Sequence, residues 1–180
     1  MLRKIKEFFS NLFSAPPPPK PIDPHAAFKQ ELLERLSRTT RSIDKCFWHC
    51  SDSEIPAHDD ISVVRKWHVE ENGWSDVGYH IFIKKNGEPQ FGRSLALIPA
   101  AQYRHNTDTI AICLHGRDAD KFTVEQKATA KMIADFTHIF YKGKITNHGH
   151  NEVDPNRACP VFDYVEVLDI DENGRLRNFL

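Results

Sequence analysis

The sequence predicts an α/β fold in which a central mixed β-sheet is flanked by helices. Apolar runs of strand length alternate with stretches of helical period, in the order strand, helix, hairpin, strand, helix. One run, DTIAICLHG, is continuously apolar, as a strand covered on both faces must be. Asn86-Gly87 joins two short apolar stretches as a hairpin turn, which puts an antiparallel pair beside the other strands. With 180 residues, 40% of them hydrophobic, the chain is long enough for one domain with a real core plus appendages.

The elements follow in order. Residues 1–14 read as an amphipathic segment. Leu2, Ile5, Phe9 and Leu12 share a stripe over Met1–Phe13, with Arg3, Lys4 and Lys6 largely off it. Residues 15–24, APPPPKPIDP, form a semi-rigid polyproline spacer, and 25–180 make up the domain. Its first piece, His25 to Thr40, is helical in pattern, with Phe28, Leu32, Leu33 and Leu36 as the apolar face. SIDKCFWHCS reads as a strand. Alternation puts Phe47, His49 and Ser51 on one face and Cys46, Trp48 and Cys50 on the other. DDISVVRKWHVEENG starts at an aspartate cap, repeats Ile61, Val64 and Trp67 at helical spacing, and stops at Gly73. TVEQKATAKMIADFTHIFYKG opens with the capping box Thr123/Gln126 and carries Ala128, Met132, Phe136 and Phe140 along one face.

Composition excludes several classes. A net charge of −1 gives no electrostatic footprint for nucleic acid. No run is long and apolar enough to span a bilayer. The start, MLRKIKEFFSNLF, is basic. Lys6 and Glu7 interrupt its apolar stretch and no clean cleavage site follows, so it is not a standard signal peptide. Synthesis in the cytoplasm is the expectation. The 4 cysteines are too few for a disulfide framework. On an extended strand Cys46 and Cys50 stand about 13 Å apart, beyond bridging distance.

The stretch NHGHNEVDPNRACP, Asn147 to Pro160, is too polar for a core element. A loop of 8 residues that includes Pro155 separates His150 from Cys159 and can fold both side chains toward one point. With His49, near its strand's end, they make two imidazoles and one thiolate, a set that suits zinc with the fourth position left to water. No Cys-x-x-Cys pair is present, so an open catalytic site is expected rather than a closed structural one. Spacing does not choose between His148 and His150.

Taken together, FWHCS, WHVEENGWSDVGYHIFIKKNG, HNTDTIAICLHG and GHNEVDPNRACPVFDY resemble the zinc-dependent N-acetylmuramoyl-L-alanine amidases of the type 2 class. That class includes the phage lysozyme-type amidases and the peptidoglycan recognition proteins. The match runs from about Ile43 to Tyr164, with four motifs in the family's order. It implies a zinc site at the sheet edge in a surface groove, with ligands His49, His150 and Cys159. His150 is chosen over His148 because the family's histidine precedes x-Glu-Val. Tyr79 stands for the active-site tyrosine. Arg157 occupies the place where phage members carry a catalytic lysine; it cannot shuttle a proton but can stabilise an oxyanion. Glu152 is a candidate base, a candidate orienter of a ligand, or a solvated loop carboxylate. Trp67 and His68 are candidates for a sugar groove, although Trp67, like Trp74, also suits core packing. Ala101 and Gln102 stand near a position where many members have histidine, and Asn151 replaces a second histidine of some phage members.

The resemblance implies a monomeric hydrolase. It would cleave the amide between N-acetylmuramic acid and L-alanine of bacterial peptidoglycan with a zinc-activated water, in the periplasm or outside the cell. The alternative is a non-catalytic peptidoglycan-binding module of the same fold, but such relatives typically lose the cysteine ligand, and Cys159 is present. A phage endolysin and an exported antibacterial effector both fit, and residues 1–13 are a candidate contact for a membrane or an export partner. Hydrolysis is expected of the chain from about Ile43 onward.

Overall fold

The computed structural model describes residues 23–178. The amphipathic segment and most of the proline spacer fall outside them. The described chain runs α1 (Ala26–Ser37), β1 (Lys45–Cys50), α2 (Ile61–Lys66), β2 (Ile81–Ile83), β3 (Pro89–Phe91), β4 (Thr109–Leu114), α3 (Val124–Phe140), β5 (Thr146–Gly149) and α4 (Tyr164–Leu168). Short 3-10 turns lie between some of these elements, and a π-helical stretch, Trp67–Glu71, continues α2. The sheet is mixed, with order β3-β2-β4-β1-β5; β2, β4, β1 and β5 are parallel and β3 is antiparallel to β2.

Parallel strands need cover on both faces, and the sequence supplies it. Every residue of β4 is buried. One face carries Cys46, Trp48, Ile81, Ile83, Ile110, Ile112 and Leu114, packed against Leu32 and Leu36 of α1, Ala130, Ile133 and Ala134 of α3, and Leu168 of α4. The other face carries Phe82 and Cys113 beneath Ile61, Val64 and Val77, with Trp67 and Tyr79 packed against them. His49 belongs to this second face, and that choice of face positions the site.

Local signals work as read at several points. The Asp60 carboxylate accepts from Ser62 N at 2.8 Å and starts α2. The Thr123/Gln126 capping box forms reciprocally at the head of α3. The Asn86-Gly87 hairpin closes through Gly87 N donating to Lys84 O at 2.9 Å, and Gly87 takes the positive φ of 81° that this turn requires.

Other readings shift. The stripe of α3 facing the sheet is Gln126, Thr129, Ala130, Ile133, Ala134 and Thr137. The expected stripe of Ala128, Met132, Phe136 and Phe140 lies beside it: Ala128 is exposed, and the larger three pack at the core's margin. Small residues face the sheet because the helix lies close to it, and buried polar ones are tolerated because they are paired. Gln126 Nε2 donates to Ile83 O at 3.2 Å and His115 O at 2.8 Å, and Thr137 Oγ1 donates to Ile133 O at 3.0 Å. Part of the polar closing stretch is a strand after all. β5 pairs with β1, and the Asn147 side chain receives Trp48 Nε1 at 3.1 Å while its backbone N–H donates to Gly174 O at 2.8 Å.

Helix α1 packs against the sheet core. Leu32 and Leu36 are at most 2% exposed, and Phe28 stacks on Phe91 with ring centroids 4.6 Å apart. A chain beginning at about Ile43 would expose the sheet face beneath them, so the folded unit includes α1. Leu32→Ala is expected to destabilise the fold by about 3 kcal/mol, read from urea unfolding midpoints; a loss under about 0.5 kcal/mol would mean α1 is peripheral.

Burial also sets a pH dependence. His80 Nδ1 accepts from Ala111 N and its Nε2 donates to Leu97 O, both at 3.0 Å, so neither nitrogen is free for a second proton. Burial lowers its pKa to about 3. The unfolded chain therefore binds the extra proton below about pH 6.5 and the folded chain does not, so stability falls with pH across that window. Well below pH 6.5, His80 alone contributes about 1.4 kcal/mol per pH unit. Stability that stays level between pH 6.5 and 5, above the range of most carboxylates, would contradict this.

Candidate metal centre and groove

Strand pairing brings the candidate ligands together. β1 and β5 run parallel with Phe47 opposite His148 and Trp48 opposite Gly149, so His49 and His150 leave the sheet side by side. Their rings lie 4.8 Å apart, edge to face. The loop after His150 returns Cys159 to the same point, with Asn151 N donating to Cys159 O at 2.8 Å. One ligand atom from each of His49, His150 and Cys159 lies within 4.8 Å of the others. Cys159 Sγ is 3.7 Å from His49 Nδ1. Two atoms sharing one tetrahedral zinc at ordinary bond lengths stand about 3.5 Å apart, so this pair already has the spacing the metal needs.

The electrostatics suit a cation. Burial, reinforced by the neighbouring His150, lowers the pKa of His49 to about 3, and burial lowers that of His150. Both imidazoles are therefore neutral near pH 7 and carry lone pairs. The Cys50 thiol beside it and burial together push the Cys159 thiol up, so a cation is what makes its thiolate favourable. Cys50 N donates to Cys159 Sγ at 3.2 Å and supports that sulfur. On donor chemistry and spacing, the set fits zinc.

His148 is occupied elsewhere. Its Nε2 is 2.8 Å from Thr146 Oγ1, its Nδ1 is 2.7 Å from Glu152 Oε2, and its ring lies over Phe47. Glu152 braces this turn, accepting from Gly149 N at 2.9 Å, from the Tyr164 hydroxyl and from His148. Burial pushes its carboxyl up, but those donors hold it below its ordinary value. Its bonds run to β5 and to α4, not to the imidazole of His49 or His150.

Beside the three residues lies a groove of about 400 Å³ whose lining includes Tyr79, His68, Trp74 and Arg157. The Tyr79 ring is 5.3 Å from that of His49 and 5.7 Å from that of His68. Burial raises its hydroxyl pKa well above 10, so it stays a proton donor. His68 Nδ1 accepts from Gly78 N at 3.0 Å, which leaves the proton on Nε2, and its ring lies tilted against that of Trp74, centroids 4.6 Å apart. Gly78 has no substitute here, since a Cβ would meet Ala100 O at 2.4 Å. Arg157 sits at the rim, its side chain 66% exposed and 3.5 Å from Asp154. Trp67 is not part of the lining; it packs edge-on against His58 at 4.5 Å, and Trp74 takes the groove position. Sequence reasoning also missed the backbone N–H of Cys50 and the buried side chain of Gln102, which touches His49. A backbone donor leaves no sequence signal, and Gln102 showed only as a departure in PAAQYRHN.

No family model matches the chain. The endolysin of Escherichia phage T7 is 34% identical over 128 residues, covering 68% of this chain and 83% of that protein. The endolysin of Enterobacteria phage T3 is 33% identical over 131 residues, covering 69% and 83%. The chain belongs to the type 2 amidase and peptidoglycan recognition protein family, which includes these phage endolysins. Solved structures share the family fold. The endolysin amidase LysCS from Clostridium intestinale URNW superposes with a TM-score of 0.61 at 21% identity, over 71% of this chain and 82% of that one. The Drosophila peptidoglycan recognition protein SD gives 0.62 at 16% identity, over 75% and 84%.

As a test of the ligand set within this family fold, Cys159→Ala and His150→Ala are expected to lose zinc by metal analysis, whereas His148→Ala keeps it. Full zinc occupancy in Cys159→Ala would remove the sulfur from the set. Retention in His150→Ala with loss in His148→Ala would exchange the histidines.

Proposed function

We propose that this chain is a zinc-dependent N-acetylmuramoyl-L-alanine amidase. Peptidoglycan hydrolysis comes with membership of the endolysin family; the metal and the bond are inferred. The convergence of His49, His150 and Cys159 beside a groove that holds Tyr79 carries the reading. When bound, zinc polarises the scissile carbonyl and makes a water nucleophilic near neutral pH.

The chain's own groups supply the rest. His49 and His150, kept neutral by burial, and Cys159 as thiolate would hold the metal. As the carbonyl carbon becomes tetrahedral, its oxygen gains charge and needs donors. The Tyr79 hydroxyl, held protonated by burial, is one. Arg157 at the rim is the second, since its loose contact with Asp154 leaves the guanidinium able to turn inward. His68 and Trp74 offer the substrate an N–H donor and an aromatic face. Glu152, already accepting three hydrogen bonds, acts by holding the His150 loop in shape.

Digestion of purified peptidoglycan is expected to release peptides with a free L-alanine amino terminus and leave the glycan strands intact. New reducing sugar ends would indicate a glycosidase, and binding without cleavage by the zinc-loaded protein would indicate a recognition module. Tyr79→Phe should keep zinc and lose most activity, since one oxyanion donor contributes about 3 kcal/mol. Arg157→Lys should retain much activity and Arg157→Ala little; a fully active Arg157→Ala enzyme would make that position a surface residue.

Residues 1–13 are proposed to bring the enzyme to an anionic membrane surface or an export partner, because their sequence sets basic residues beside an apolar stripe. Among the described residues, no helix is long and apolar enough to cross a membrane. A chain lacking residues 1–24 is expected to keep its activity on purified peptidoglycan and to lose lysis or delivery in cells. Loss on the purified polymer, with zinc retained, would put that segment in the catalytic unit.

A further inference from the structure

Gln102 lies in the loop between β3 and β4, fully buried at 0% exposure yet polar. Its amide nitrogen is 3.2 Å from His105 O and 2.9 Å from Thr109 Oγ1, and its amide oxygen is 3.1 Å from His49 Nε2. This orientation follows from the partners. A backbone carbonyl only accepts, so the amide nitrogen must face His105. Thr109 donates its own hydroxyl proton to Asn106 O at 2.8 Å, which leaves its oxygen to accept from Gln102. The loop is held in place because Asn106 Oδ1 accepts from the backbone N–H groups of Ala101 and Gln102, both at 3.0 Å.

The amide oxygen that remains faces His49, and it too can only accept. His49 Nε2 must then carry the proton, and the lone pair is left on Nδ1, the atom 3.7 Å from Cys159 Sγ. An imidazole that ligates through one nitrogen needs an acceptor on the other to fix its tautomer and ring angle. A glutamate here would put an acceptor oxygen against His105 O and a charge in a fully buried place, so the neutral amide suits the position.

We propose that Gln102 is a positioning residue, pinning the His49 proton on Nε2 and thereby presenting Nδ1 to the metal. This rests on the zinc reading above. The test uses the full chain, wild type and Gln102→Met, with nitrogen NMR of the imidazoles before and after zinc is added, and zinc affinity by competition with a chelator. Wild-type His49 is expected to show a single tautomer with its proton on Nε2. The Met variant is expected to show a mixture of tautomers and to bind zinc about 10–100-fold more weakly, with unchanged far-ultraviolet circular dichroism. A variant that keeps the single tautomer and wild-type affinity overturns the proposal, and so does a proton on Nδ1 in the wild type. If the variant does not fold, the wild-type tautomer still decides. A wild-type chain that binds no zinc overturns the metal reading instead, and the metal-free tautomer then decides the role of Gln102 separately.

Discussion

The parallel pairing of β1 with β5 and β4 is the constraint on which the rest of the site depends. Register places Trp48 beside Gly149 and His49 beside Cys113, so His49 emerges next to His150 at the strands' shared C-terminal end. A one-residue slip of β1 would turn Trp48 or Cys50 to the groove and His49 to the helices. Burial of both faces makes such a slip costly: Trp48 and Cys46 would leave a close-packed core, and His49 would enter it without Gln102. Positioning of the site and stability of the sheet are therefore one property.

The same burial sets the charge state of the site. The imidazoles of His49 and His150 are both neutral, and the Cys159 thiol and the tyrosine hydroxyl hold their protons. A dication entering there meets two lone pairs and has one proton to displace, from Cys159. Tyr79 stays a donor because its pKa is raised, while the guanidinium of Arg157 is exposed at the rim.

Both edge strands take contacts from residues outside the stretch that carries the family resemblance. At β3, Phe91 receives Phe28 on its ring, and the Arg35 guanidinium lies 4.3 Å from the ring centroid. At β5, Asn147 N donates to Gly174 O in the turn after α4. Residues on both sides of the motif-bearing stretch thus pack against its edge strands.

Local chemistry was legible in the residues because it acts over short spans. Asp60, the Thr123/Gln126 box and Gly87 bond to neighbours a few positions away, so their turns and caps could be read directly. The continuous apolar run of β4 announced a doubly covered strand, and the mixed sheet followed from element order. The set His49, His150 and Cys159 was readable as ligand types, but spacing left His148 open. Only the fold turns His148 onto Thr146 and Glu152. Tertiary structure alone also decided that α3 shows its small and polar stripe to the sheet, that Trp74 rather than Trp67 reaches the groove, and that Gln102 meets His49 from 53 residues away. The reason is physical: periodicity records which residues can be buried, whereas close packing and hydrogen-bond pairing between distant segments select which of them are.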